Sequence, residues 1–182
     1  MNIILSRETL AQDPGSALRW LPKLLDDATF LRANYPKFDS WLLGKVLPGL
    51  QTGERSILFE VRESTVAGVC IVKHSAEEKK LCTLRIRPEF ESRGLGVRLF
   101  ERAFEMLGTE QPLLSVSEAT LRKFARLFEH FNFTRKAIYD GLYLPTISEF
   151  SYNGVLDAGL GPVINFAYTR VRENAILEHA QA

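Results

Sequence analysis

The sequence predicts a mixed α/β fold, on three observations. Between residues 55 and 87 three β-rich runs, RSILFEV, VAGVCIVKH and LCTLRIR, follow one another through the polar turns REST and SAEEKK, the pattern of consecutive antiparallel strands. From about Gly94 to Leu107 the apolar residues Leu95, Leu99, Ala103 and Met106 recur at helical spacing. A short apolar run, PLLSVS, and a second amphipathic stretch, EATLRKFARLFEHF, come next, and RKAIYDGLYL and EFSYNG close the series as two strands. Strands first, then strand and helix in alternation, give a meander, a βαβ crossover and a terminal hairpin.

Ahead of this region, NIILS (2–6) reads as a first strand. Trp20 to Tyr35 carries Leu21, Leu24, Leu25 and Ala28 at helical period, and Pro36 ends that helix. FDSWLLGKVLPGL forms a second helical piece, with Asp39 or Ser40 as its N-cap. In the third β-run Cys82, Leu84 and Ile86 share one face, and Thr83, Arg85 and Arg87 the other. Gly108 is placed to end the first long helix, and Ser117 to cap the next.

Composition narrows the class. The 182 residues are 46% hydrophobic and 25% charged, a balance suited to one globular domain that buries roughly 70% of its unfolded surface without disulfide or metal. A formal net charge of +1 gives no bulk attraction to nucleic acid or an anionic membrane. Cys70 and Cys82 are too few and too far apart for a metal site, and read as small buried hydrophobes. No apolar run reaches ~18 residues, and the first residues lack a basic start followed by a long apolar core. The expectation is a cytoplasmic protein with no membrane anchor and no metal.

The chemistry concentrates in RIRPEFESRGLGVRLF (85–100), where a strand stops at Pro88 and two glycines stand at the mouth of a helix. The first N–H groups of a helix have no internal acceptor, and the helix dipole adds about half a positive charge there. Glycine lets the backbone approach a ligand closely. Such a turn suits a phosphate or pyrophosphate. It is neither a P-loop, since no Gly-Lys-Ser/Thr follows, nor the three-glycine dinucleotide fingerprint. A tight strand-to-helix turn without a ligand explains two glycines equally well.

Context extends the reading. Ile86-Arg87-Pro88 followed by Glu91-Ser92-Arg93-Gly94-Leu95-Gly96 resembles the motif of the GNAT superfamily of acyl-CoA N-acyltransferases: arginine or glutamine, two residues, Gly, one residue, then Gly or Ala. Leu127-Phe128-Glu129-His130-Phe131-Asn132-Phe133 resembles that family's second signature, leucine-tyrosine-glutamate-x-x-glycine-phenylalanine. The resemblance covers roughly residues 55–153. It implies the GNAT fold, a central, mostly antiparallel sheet flanked by helices, with 1–154 as the N-acetyltransferase domain and 155–182 as a C-terminal extension. It also implies acetyl-CoA as co-substrate and an amine acceptor. Leu84, Arg85 and Ile86 would pair with the pantetheine arm through their backbone. The amides of Ser92, Arg93, Gly94, Leu95, Gly96 and Val97 would hold the pyrophosphate, with the Arg93 side chain either joining them or standing in solvent.

The chain departs from the family pattern at three positions. Glu91 occupies the arginine or glutamine position, and a carboxylate ~4 Å from a phosphate costs about 1 kcal/mol even in water-like surroundings. Phe128 replaces the tyrosine that reprotonates the CoA thiolate, and Leu121 replaces an asparagine that helps hold CoA. A glutamate at the end of the fifth strand serves related enzymes as base, which here directs attention to Glu118, with Ser117 as a water relay. Tyr143, Tyr139 and Tyr152 are substitute acids. Each of these groups also has a plain structural reading, as do His74 and His130.

Three functions fit the sequence. The leading one is an N-acetyltransferase acting by direct amine attack. The second is an acyl-CoA-binding regulatory module without catalysis, consistent with Phe128 and Leu121. The third is an acyltransferase on a protein, tRNA or nucleobase amine, to which near-neutral charge lends little support. Residues 7–50 are expected to fold over the sheet and shape the acceptor pocket. A helix from about Asn165 would pack on its own domain or on a second copy, forming a homodimer.

Overall fold

Short apolar strands paired in sequence order build the N-terminal half. β1 (Asn2–Leu5), β2 (Arg55–Arg62), β3 (Thr65–His74) and β4 (Lys79–Ile86) form an antiparallel array in that order. The computed structural model describes residues 1–26, 28–156 and 163–164, and the chain divides into two compact units, Met1–Pro112 and Leu113–Ala182. The β2–β3 turn is tight because Glu63 and Ser64 both take left-handed backbone, φ 47° and 65°, as two-residue hairpin turns require.

One face of this array carries Ile57, Phe59, Val69 and Ile71, buried under N-terminal helices that contribute Trp20, Leu24, Ala28, Leu31, Phe38, Leu42, Val46 and Leu50. Trp20 meets Phe59 at 5.8 Å between ring centroids. Each such side chain contributes roughly 1.5–3 kcal/mol on burial, so this layer holds the unit together.

The helices differ from expectation in detail. α1 (Arg7–Gln12) is an addition to the expected elements; Ser6 caps it, accepting from Thr9 N–H while its own N–H donates to the Thr9 hydroxyl. The helix expected from Trp20 to Tyr35 is two helices, α2 (Gly15–Asp26) and α3 (Thr29–Asn34). A turn closed by Ala28 N–H on the Leu25 carbonyl separates them, yet Leu24, Ala28 and Leu31 all stay buried, so the periodicity runs through the break. α4 (Phe38–Trp41) passes through a π turn (Leu42–Val46) into α5 (Leu47–Thr52). Only Leu47 separates the π turn from Pro48, which has no N–H to give an α-helix. Lys37, not Asp39 or Ser40, is the N-cap; Asp39 instead receives the Arg32 guanidinium at 2.9 Å.

A bulge corrects the expected faces of β4. Ile71 pairs with Thr83 but Val72 pairs with Leu81, leaving Cys82 as the extra residue. Cys82 therefore parts from Leu84 and Ile86 and packs toward the helical core, 3.2 Å from Arg55 Nη1.

On the opposite face lies α6 (Leu95–Leu107), with Leu95, Leu99, Ala103 and Leu107 buried. Met106, expected among them, is only half-buried, and Phe100 and Phe104 complete the stripe. Gly108 ends the helix in left-handed backbone, φ 66°, as expected. Gly68 lets α6 approach β3: a Cβ there would lie 2.9 Å from Leu99 Cδ1 and 2.8 Å from Ile86 Cδ1.

The second unit contains β5 (Leu113–Ser117), α7 (Glu118–His130), β6 (Arg135–Leu144) and β7 (Ile147–Tyr152), with β8 (Val163–Ile164) beside β6. β7 lies between β5 and β6, antiparallel to both. The terminal hairpin thus places β7 between β5 and β6. α7 buries Thr120 and Phe128 and half-buries Leu121 and Phe124, while Ala125, expected on the apolar face, is exposed. The expected helix from Asn165 lies outside the described residues. Among the described residues no helix is long and apolar enough to cross a membrane.

Candidate functional site

The residues proposed for CoA lie in the first unit on one continuous segment. Leu84, Arg85 and Ile86 form the last three positions of β4, all half-buried. The strand ends as Arg87 N–H donates to the Ala67 carbonyl, and Pro88–Phe90 forms a single 3-10 turn. Glu91 to Gly94 is exposed.

The loop turns sharply into the helix. Ser92 and Gly94 both take left-handed backbone, φ 59° and 72°, and Gly94 is the N-cap of α6 with no side chain capping it. Arg98 N–H is the first to reach an intrahelical carbonyl, that of Gly94 at 3.2 Å, so the amides of Leu95, Gly96 and Val97 precede the regular ladder. Gly96 belongs to the first helical turn, so its value is its small size and not unusual backbone. Arg93 lies over the Phe90 ring, 5.8 Å from its centroid.

Arg98, which sequence motifs do not single out, lies close to this turn. Its Nη1 lies 3.8 Å from where a Gly94 Cβ would stand, which brings a guanidinium to the helix mouth. The signal is present in the spacing: position i+4 from an N-cap lies one turn above it. A cation–π pair, Arg85 over Phe30 at 5.1 Å, also joins β4 to α3.

In the second unit Ser117 ends β5 and caps α7, its hydroxyl accepting from Ala119 N–H at 3.3 Å. Glu118 is the first residue of α7, where a carboxylate favours the helix dipole. Tyr143, 40% exposed, stands on β6 where the register against β7 breaks between Asp140 and Leu144. Tyr139 serves the fold: it is buried, and its hydroxyl accepts from Leu156 N–H at 2.8 Å. Phe128 is enclosed by aromatic rings, with Tyr152 at 4.5 Å, Phe133 at 5.6 Å and Phe124 at 5.7 Å. Asn132, at the second signature's glycine position, takes φ 53°, a left-handed conformation that asparagine tolerates.

Cys70, His74 and His130 each have a place in the fold. Burial pushes the Cys70 thiol far above its usual range, which removes the thiolate that covalent chemistry needs. His74 Nε2 lies 3.0 Å from the buried Ser56 hydroxyl. His130 is exposed and stands edge-on to Phe131.

No family model matches the sequence, and no curated protein matches it. Solved structures do. The ribosomal-protein-S18-alanine N-acetyltransferase of Escherichia coli aligns over 88% of this chain and 99% of its own, with TM-score 0.55 and 19% identity. A PaiA N-acetyltransferase from Thermoplasma acidophilum, solved with coenzyme A, aligns over 83% and 98%, with TM-score 0.54 and 17% identity. The chain spans 62% of the length of nourseothricin acetyltransferase, at TM-score 0.45. At these identities the likeness is one of architecture alone: the chain has the fold of the GNAT-family acetyltransferases.

Proposed function

We propose that the protein is an acetyl-CoA-dependent N-acyltransferase that acetylates a primary amine by direct attack. The observation that carries this reading is the uncapped mouth of α6, with left-handed Ser92 and Gly94 behind it. The amides of residues 92–97 hold the pyrophosphate, and Arg98 adds a charge-assisted contact. The backbone of Leu84, Arg85 and Ile86 holds the pantetheine arm as an added strand would. The amine nitrogen attacks the thioester carbon; the C–N bond forms, the C–S bond breaks, and its electron pair leaves on sulfur. A base must accept the proton released by the amine, and the family resemblance offers Glu118, or water at Ser117, as candidates. For the proton returned to the thiolate the sequence offers Tyr143, though a thiol pKa near 8.5 makes that assistance dispensable.

Phe128 favours a second reading, an acyl-CoA-binding module without catalysis, because phenylalanine has no proton to give at the position of the family tyrosine. Thermal shift and turnover separate the two. At 100 times the dissociation constant, acetyl-CoA should stabilise the protein by about 2.7 kcal/mol, and no shift would overturn both readings. Thiol release from acetyl-CoA across a panel of amines supports the enzyme. Binding with no release from any amine supports the module.

A further inference from the structure

Four residues of the first unit form one cross-strand row: Asn2 on β1, Glu60 on β2, Gly68 on β3 and Ile86 on β4. Phe59 and Val61 face the helical core, and alternation along β2 turns Glu60 to the opposite side, where α6 lies. Glu60 is only 3% exposed there. Its Oε1 lies 2.7 Å from Arg62 Nη2. Its Oε2 accepts from the Asn2 side-chain nitrogen, and the Asn2 side-chain oxygen accepts from both terminal nitrogens of Arg102 on α6. A polar chain thus runs from a buried carboxylate in the sheet to the middle of the helix.

The helix meets this row at two places. Leu99 and Ile86 close over Gly68, where a Cβ would stand 2.9 and 2.8 Å from their Cδ1 atoms. Arg102, three residues further along the same side of α6, reaches Asn2. Stability alone is a poor reason for a buried carboxylate here, since apolar residues of similar volume are often neutral or stabilising in place of a buried charge pair. What the polar chain adds is direction. Apolar burial is non-directional, so the leucines hold α6 to the sheet but discriminate weakly between small tilts of it. A guanidinium that gives two hydrogen bonds to one amide oxygen loses them when the helix shifts.

We propose that Arg102 is a positioning residue for acyl-CoA: through Asn2 and Glu60 it fixes where the mouth of α6 stands relative to the end of β4. This rests on the acyl-CoA reading above. Coenzyme A joins its pyrophosphate and its pantetheine arm in one covalent chain, so their two seats must lie a set distance apart. The row ties the seats together. Ile86, its last member, is also the last of the three pantetheine residues, and Arg102 lies on the helix whose first amides take the pyrophosphate. Once one seat is filled, binding at the other is intramolecular, an advantage that is lost when the geometry forbids both at once. A ligand that fills the helix mouth alone gains nothing from the alignment.

The test titrates the full-length chain with acetyl-CoA and with adenosine 5′-diphosphate (ADP), which carries the pyrophosphate and lacks the pantetheine arm. The variants are Arg102→Met, Arg102→Lys, Asn2→Leu, the combination of Arg102→Met with Asn2→Leu, and Leu107→Val. Arg102→Met keeps the apolar stem and removes the guanidinium. Arg102→Met and Asn2→Leu should each bind acetyl-CoA roughly 10-fold more weakly, with ADP affinity within about twofold of the parent. The double variant should be no weaker than the worse single one, because both break the same link. Arg102→Lys should recover part of the loss. Leu107→Val, at the far end of the helix, should lower Tm and leave both affinities unchanged. The proposal is overturned by unchanged acetyl-CoA affinity in both single variants, by equal weakening of the two ligands, by losses that add in the double variant, by an equal loss in Leu107→Val, or by failure of both single variants to fold. Absence of acetyl-CoA binding in the parent protein would instead overturn the acyl-CoA reading, and absence of ADP binding the seat at the helix mouth; either takes this assignment with it.

Discussion

Both ends of α6 rest on left-handed glycines, and they permit a matched pair of substitutions. Gly94 has φ 72° and Gly108 φ 66°; a Cβ on Gly94 would meet only Arg98 Nη1 at 3.8 Å, and one on Gly108 would meet nothing within 4 Å. Alanine at either position thus introduces backbone strain without a clash, about 1–2 kcal/mol each. For a chain of this size each kcal/mol lowers Tm by roughly 2–4 °C, so both variants should melt a few degrees lower. Their effects on acetyl-CoA should diverge. Strain at Gly94 shifts the loop away from its binding conformation, and the ligand must restore it. A penalty of 1–2 kcal/mol corresponds to a roughly 5–30-fold weaker dissociation constant. Gly108 lies at the far end of the helix, so its substitution should leave affinity unchanged. Calorimetric titration of the two variants with acetyl-CoA reads the difference. Equal loss of affinity, or none in Gly94→Ala, would refute the assignment of the helix mouth to the pyrophosphate.

Three further outcomes are expected. Glu91→Gln should change acetyl-CoA affinity by no more than about twofold, because its carboxylate is exposed and screened; a tenfold gain would show that its charge opposes the phosphates. Gly68→Ala should destabilise by about 1–3 kcal/mol in denaturant titration, since its Cβ would stand 3.1 Å from the Arg85 carbonyl oxygen as well as close to Leu99 and Ile86; Gly44→Ala, with nothing within 4 Å, is the control and should not. Phe128→Tyr should lower stability and leave turnover unimproved, because the new hydroxyl enters an aromatic cluster; a clear rise in thiol release would show that a tyrosine there still reaches the leaving sulfur.

The β2–β3–β4 meander, α6 and α7 are legible in the sequence because their periods of two and 3.6 are long and bounded by polar turns or glycines. Features that depend on a neighbour are concealed in it. The bulge at Cys82 arises from pairing with Ile71 and Val72, which alternation along one strand does not encode. The place of β7 between β5 and β6 depends on which edge the last hairpin takes. α1 lacks the usual signature because Thr9, not glutamate, completes its capping box. The helix mouth is readable from two glycines, whereas the pairing of Glu149 with Ser117 is not, since only cross-strand register sets it. Glu118 attracts attention because it follows Ser117 directly, but it opens α7 and lies off the strand that carries Ser117.

Amide chemical shifts test the central claim most directly. In the 15N-labelled protein titrated with coenzyme A, the account predicts that the largest perturbations fall on Ser92 and on Leu95, Gly96 and Val97, the amides preceding the regular ladder of α6. 3′,5′-ADP, which lacks the pyrophosphate bridge and the pantetheine arm, should reproduce them only weakly. Saturating coenzyme A that leaves these amides unmoved, or moves only residues elsewhere, would contradict the account.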